Sequence, residues 1–133
     1  MKARAVNPRQ PHEMTRAELA WSEYGWFVEG FLNRRYEGYT LRLGENRITP
    51  DFSGVDVRTG QLCLFEVKAS NHPAAFTDVA KLRLKTAASE FAELRFFVCW
   101  PIKGSKMRKW HVEEVGNRST RIDKRGQTNF LES

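Results

Sequence analysis

The stretch that most constrains this chain is a pair of β-prone segments, Ile48 to Val57 and Leu62 to Ala69, joined by Arg58-Thr59-Gly60-Gln61. β-branched and aromatic residues in both arms, with a glycine in the connection, favour an antiparallel hairpin. Strand side chains alternate between faces, so Leu62, Leu64, Glu66 and Lys68 share one face while Cys63, Phe65 and Val67 share the other. With Thr59-Gly60 as a two-residue turn, Arg58 pairs with Gln61, Val57 with Leu62, Val55 with Leu64, Ser53 with Glu66 and Asp51 with Lys68. The hairpin is then apolar near its turn and polar at its open end, where Asp51 and Glu66 become diagonal neighbours about 7–8 Å apart at Cα.

Two carboxylates at that spacing can lean together onto one hard cation. Mg²⁺ takes oxygen ligands and keeps several waters, so one or two carboxylates plus a substrate phosphate complete its shell. Lys68 lies on the face of Glu66, where an ammonium could orient or help deprotonate an attacking water, or offset charge building at phosphorus. The plainer reading makes Asp51 a pre-strand residue after Pro50, and Glu66 and Lys68 a solvated pair on an edge strand. The joint occurrence of all three in hairpin register, with apolar partners falling opposite one another, favours a site.

At 133 residues the chain suits one domain with a core of modest size. Cys63 and Cys99 sit in apolar strand-like runs without metal-ligand spacing, so they read as buried reduced thiols of a cytoplasmic protein. No apolar run reaches membrane-spanning length, and no hydrophobic signal core follows Met1-Lys2-Ala3-Arg4, which leads to the expectation of a soluble protein with no membrane partner. The net charge of +6 fits a polyanionic partner. Lys103, Lys106, Arg108 and Lys109, with Trp110 beside them, suit a patch that tracks a nucleic-acid backbone and stacks a base; past Gly116 a solvated tail explains the charge as well.

Residues 1–13, with Pro8 and Pro11, read as a mobile arm. Thr15 and Glu18 form a capping-box pattern, and Ala17, Ala20, Trp21, Tyr24, Phe27, Val28 and Phe31 recur at helical spacing, predicting a helix through about Arg35. The capping box alone accounts for Glu18, yet its carboxylate flanks the apolar stripe and could reach the hairpin's open end. Tyr39–Leu43 reads as a short strand, and His72 lies in a loop at the mouth of the proposed site. A second helix from about Ala75 to Ala92 is expected to bury Phe76, Val79, Ala80, Leu84, Ala87, Ala88 and Phe91, with Asp78, Lys81, Arg83 and Lys85 on its other faces. Leu94–Trp100 reads as a buried strand parallel to the Glu66 strand through a right-handed crossover, followed by a strand over Lys109–Val115 and a basic, weakly ordered tail over 116–133.

The order helix, three strands, helix, strand, with Ile48-Thr49-Pro50-Asp51-Phe52 on one strand and Glu66-Val67-Lys68-Ala69 on the next, resembles the PD-(D/E)xK nuclease superfamily. Thr15-Arg16-Ala17-Glu18, Leu41-Arg42-Leu43 and Arg83-Leu84-Lys85-Thr86-Ala87-Ala88 extend the likeness, which runs from about Thr15 to Val115 and is nearest to small phage and prophage nuclease-like proteins. The resemblance departs at Ala69, where the pattern has Gly, at Arg16-Ala17, at Arg83, and in a longer loop over Ser70–Thr77. It implies an α/β, restriction-endonuclease-like αβββαβ core over 14–115, with a mixed central sheet flanked by helices. The implied activity is Mg²⁺- or Mn²⁺-dependent hydrolysis of phosphodiesters in DNA, structured or branched phage DNA included, in the cytoplasm of a bacterial or phage-infected cell. Glu18, Asp51, Glu66 and Lys68 would be the active set, with Asp51, Glu66, Glu18 and the Val67 carbonyl holding metal and Arg83 and Lys85 as phosphate or structural contacts. The alternative is a non-catalytic nucleic-acid-binding or partner-binding module on the same scaffold, and no base-reading module separates DNA from RNA. One site per chain nicks one strand, so symmetric cutting would need a homodimer; the exposed side of the first helix, with Trp26 off its stripe, could supply the interface.

Overall fold

The computed structural model describes residues 14–25 and 30–116. The expected arm over 1–13, Trp26 with its dimer surface, and the tail over 117–133 lie outside the described residues.

Helix α1 (Arg16–Ala20) starts at the capping box read from the sequence: the Thr15 hydroxyl accepts from the Glu18 amide at 3.1 Å and the Glu18 carboxylate accepts from the Thr15 amide at 2.9 Å. It runs into a π-helical turn, Trp21–Gly25. A Cβ at Gly25 would overlap the fully buried Trp21 indole, so only glycine lets the backbone pass this close to that ring. Phe31 to Arg35, expected as helix, instead begin strand β1 (Phe31–Tyr36), because pairing with a neighbouring strand outweighs an apolar spacing that also suits a helix.

Strands β2 (Leu41–Leu43) and β3 (Asn46–Ile48) form a small separate hairpin around Gly44, whose φ of +59° favours glycine. The Thr40 and Thr49 hydroxyls meet at 2.9 Å across its base. Ile48 therefore belongs to this hairpin and not to the arm carrying Asp51. The main sheet uses β4 (Phe52–Asp56), β5 (Leu62–Val67), β6 (Arg95–Pro101) and β7 (Trp110–Val115) in the order β1-β4-β5-β6-β7. β5 and β6 are parallel, as expected of the crossover through α2 (Asp78–Glu90), and the other pairs are antiparallel.

The β4–β5 register is offset by two residues from the one expected. Val55 pairs with Leu62, Ser53 with Leu64 and Phe52 with Phe65. Asp56 is the cause. Its carboxylate accepts from the Arg58 amide at 2.9 Å and its carbonyl from the Gly60 amide at 2.8 Å, closing a four-residue loop over 57–60 in place of a two-residue turn.

The sheet is packed on both faces. Ala17, Trp21, Phe31, Phe52, Cys63, Phe65, Val67, Phe97, Cys99, Trp110 and Val112 form the core on the α1 side. Leu41, Ile48, Leu64, Phe76, Leu84, Ala87, Phe91, Phe96 and Val98 form the core on the α2 side. α2 begins at its Thr77 cap, later than expected, and buries Leu84 and Ala87; Val79, expected in the core, is 69% exposed, as is most of Leu82. Both thiols are buried and free, and burial pushes Cys63 up to about 12 and raises Cys99 too. The product is a mixed α/β domain, and no helix among the described residues is long and apolar enough to cross a membrane.

Candidate functional site

Extending the β4–β5 register one residue past Phe52↔Phe65 sets Asp51 directly opposite Glu66, not opposite Lys68 as the shorter turn required. The Val67 amide donates to Asp51 Oδ2 at 2.8 Å, which ties the residue before β4 to the end of β5. Lys68 leaves the strand with its amide donating to the Cys99 carbonyl, and its Nζ lies 3.5 Å from Glu66 Oε2. From the α1 side, Glu18 reaches the same point: buried, it receives the Tyr36 hydroxyl at 3.3 Å and interacts with Asp51 by charge and hydrogen bonding. Glu18, Asp51, Glu66, Val67 and Lys68 thus converge at the carboxyl ends of the parallel pair β5 and β6, where ligands of open α/β sheets bind.

The electrostatics are those of acids crowded together with one ammonium. Burial, and then the charge of Glu66, push the Asp51 carboxyl from its ordinary 3.8 up to about 9, with Glu18 adding and the Val67 amide opposing. Burial raises Glu66 as well, against the adjacent Lys68. Glu66 Oε1 is buried and receives no backbone N–H or hydroxyl among the described residues, while the Asp51 carboxyl lies within hydrogen-bonding reach of the same Glu66 carboxylate. A buried carboxylate oxygen without such a donor is costly. The donors here are all hard oxygens, and an oxygen-seeking divalent cation fits that atom and the raised acids. Among the described residues, no three His, Cys, Asp or Glu side chains are grouped so as to hold an ion by themselves. Any ion here would therefore draw the rest of its shell from water, substrate or backbone carbonyl.

The other candidate residues scatter. Lys85 lines a cavity of about 410 Å³ with Gln61, Arg95 and Glu114, at the end of β5 opposite to Glu66. Arg83 lines a second, of about 400 Å³, between α2 and the β2–β3 hairpin. Neither of these two cavities is lined by the carboxylates. Lys103, Lys106, Arg108 and Lys109 lie on the connection from β6 to β7, which leaves β6 at the site's end of the sheet. Trp110, expected to stack on a base, is buried edge-on against Trp21 with its indole N–H donating to the Met107 carbonyl, so it is core. His72 is exposed and accepts from the Ala74 amide, shaping its own loop.

The sequence alone assigns no part to Tyr36, Trp100 or His111: Tyr36 falls between the predicted helix and the Tyr39–Leu43 strand, and the position of His111 beside Trp100 depends on a β6–β7 pairing that the connection length alone does not give. A scan against family models, a search of curated proteins and a search of solved structures each found no match. Fold and site together define a mixed α/β domain with paired carboxylates and a lysine at the carboxyl ends of its parallel strands.

Proposed function

We propose that this chain is a Mg²⁺- or Mn²⁺-dependent deoxyribonuclease of the PD-(D/E)xK kind, hydrolysing phosphodiesters at the Asp51–Glu66–Lys68 cluster. The observation that carries the reading is the side-by-side placement of Asp51 and Glu66, with one Glu66 oxygen buried without a backbone N–H or hydroxyl donor and the Lys68 ammonium 3.5 Å from the other. The sheet order supports it: α1, the antiparallel strands β1, β4 and β5, then α2 and the parallel β6 follow the αβββαβ order of restriction-endonuclease-like cores, with the β2–β3 hairpin inserted.

Asp51 and Glu66 would hold the ion, with the Val67 carbonyl completing its shell and Glu18 orienting Asp51. A bound Mg²⁺ or Mn²⁺ supplies charge neutralisation on the phosphate and a water acidified for attack. Lys68 places a positive charge beside the carboxylates, where it offsets charge developing on phosphorus and orients the water. Glu18, held by the Thr15 amide and the Tyr36 hydroxyl, presses its charge on Asp51 and so favours exchange of the Asp51 proton for a cation. The net charge of +6 and the cations between Ile102 and Trp110 supply affinity for a phosphate backbone.

Cleavage of plasmid and branched DNA with Mg²⁺ or Mn²⁺, against an EDTA control, tests the reading. Asp51→Ala and Lys68→Ala are expected to abolish cutting while circular dichroism and DNA affinity stay near wild type, and undiminished cutting by either refutes the assignment. The absence of a three-ligand cluster among the described residues favours one competitor, a non-catalytic nucleic-acid-binding module on the same scaffold. It predicts salt-sensitive binding, no turnover, and no Mn²⁺ binding heat that Asp51→Asn removes.

A further inference from the structure

The α2-side face of the sheet does not end at Lys68. Val67 pairs with Cys99 and Trp100 with His111, so Lys68, Trp100 and His111 form one row across β5, β6 and β7. Neighbouring strands lie about 4.8 Å apart, which sets Trp100 one strand and His111 two strands from the lysine. The imidazole stacks on the Trp100 indole at 4.2 Å between centroids and 19° between planes. Phe76 covers the indole at 6.5 Å, and the ammonium groups of Lys68 and Lys81 lie over the Phe76 ring at 5.8 and 5.3 Å. About 32% of the His111 side chain stays open to solvent, unlike the buried Trp110. Burial lowers the His111 pKa against the opposing Glu113 carboxylate at 3.9 Å, so the ring is neutral at neutral pH and offers a π-face more than a charge.

We propose that the His111–Trp100 stack seats an unpaired base on the same sheet face as Lys68, two strands from the proposed phosphate site at Asp51 and Glu66, so that the preferred substrate is a DNA strand that is single, flapped or frayed near the cut. The inference rests on the phosphodiesterase reading and names its substrate class. Cations beside an aromatic ledge are what a single strand needs: ammonium groups for its phosphates and an open ring for a base. A base inside a continuous duplex has both faces covered by its neighbours, so it reaches such a ring only after leaving the stack.

The test uses the full chain and DNA carrying 2-aminopurine, whose fluorescence falls on stacking, at an unpaired position beside a duplex. EDTA is present so that no cutting occurs. Wild type is expected to quench the probe and to bind the splayed DNA about tenfold more tightly than His111→Ala. His111→Phe, which keeps a ring, should restore both, and fully paired DNA should bind all three alike. No quench by wild type, or an unchanged preference for splayed over paired DNA in His111→Ala, overturns the proposal. Cutting is measured separately with Mn²⁺. A His111-dependent quench without any cutting would sink the nuclease and support the seat, whereas cutting without a quench would overturn the seat alone.

Discussion

Replacing Asp51 by Asn should make the metal-free protein more stable at pH 8, although it removes a residue central to the proposed chemistry. In the folded chain the Asp51 carboxyl titrates near 9, against 3.8 ordinarily, because it is buried beside Glu66 and Glu18. Between those values the folded state keeps a proton that the unfolded state has released, so stability falls as pH rises. Slightly more than four pH units separate 3.8 from 8, and at about 1.4 kcal/mol each they set a ceiling near ~6 kcal/mol. Water reaching the partly exposed Asp51 relieves much of that cost, which leaves about 1–2 kcal/mol expected, or roughly 5 °C in Tm for a domain of this size. Asparagine avoids the charge and keeps an oxygen for the Val67 amide now bonded at 2.8 Å. Urea unfolding in EDTA at pH 5 and pH 8 reads the effect: the two proteins should be close at pH 5, with the variant ahead at pH 8. Added Mn²⁺ should reverse the order, since an ion that binds only the folded wild type stabilises it in proportion to RT ln(1 + [L]/Kd). A variant less stable than wild type at pH 8 without metal would refute the reasoning.

Other predictions concern the frame. Arg95, buried, donates to both Glu114 oxygens at 2.7 and 3.0 Å and lies 4.0 Å from Asp56; Arg95→Met would leave two buried acids without their cation and should cost about 3–5 kcal/mol in urea unfolding. A loss under 1 kcal/mol would show that the pair is not part of the core's balance. Gly25→Ala drives a methyl into the Trp21 indole and should cost about 1–3 kcal/mol, with a changed tryptophan fluorescence spectrum reporting the displaced ring.

The fold was legible where one element's pattern decided its own state, and illegible where a partner decided it. The capping box at Thr15 and Glu18 is local, and it formed as read. The parallel crossover needed only an apolar strand, a helix and another apolar strand, and it too is present. Phe31 is different. Its spacing from Trp21 and Tyr24 suits a helix, yet it is buried as a strand residue opposite Asp56, a contact with a segment 25 positions away. Val79 failed for a related reason: α2 turns Ala80, Leu84, Ala87 and Ala88 toward the sheet, which leaves Val79 and Leu82 exposed beside the β2–β3 hairpin.

The candidate site survived an error in register because of parity. A strand repeats every two residues, so an offset of two leaves every side chain on its face, whereas an offset of one would have put Asp51 on the face of Phe65 and Val67. Asp56 lengthened the loop by two residues, an even number, and so moved Asp51 from beside Lys68 to beside Glu66 without turning it away. The row of Lys68, Trp100 and His111 had no such protection. Its third member hangs on the connection from Ile102 to Lys109, where Lys106 and Met107 take positive φ and the Ile102 amide closes onto the Lys109 carbonyl. Left-handed backbone at two non-glycine residues follows from the closure of the loop and not from their own preference, so the pairing of Trp100 with His111 has no signature in either residue. Acids and lysine on adjacent arms of one hairpin can thus be read from spacing, while an aromatic partner two strands away requires the sheet.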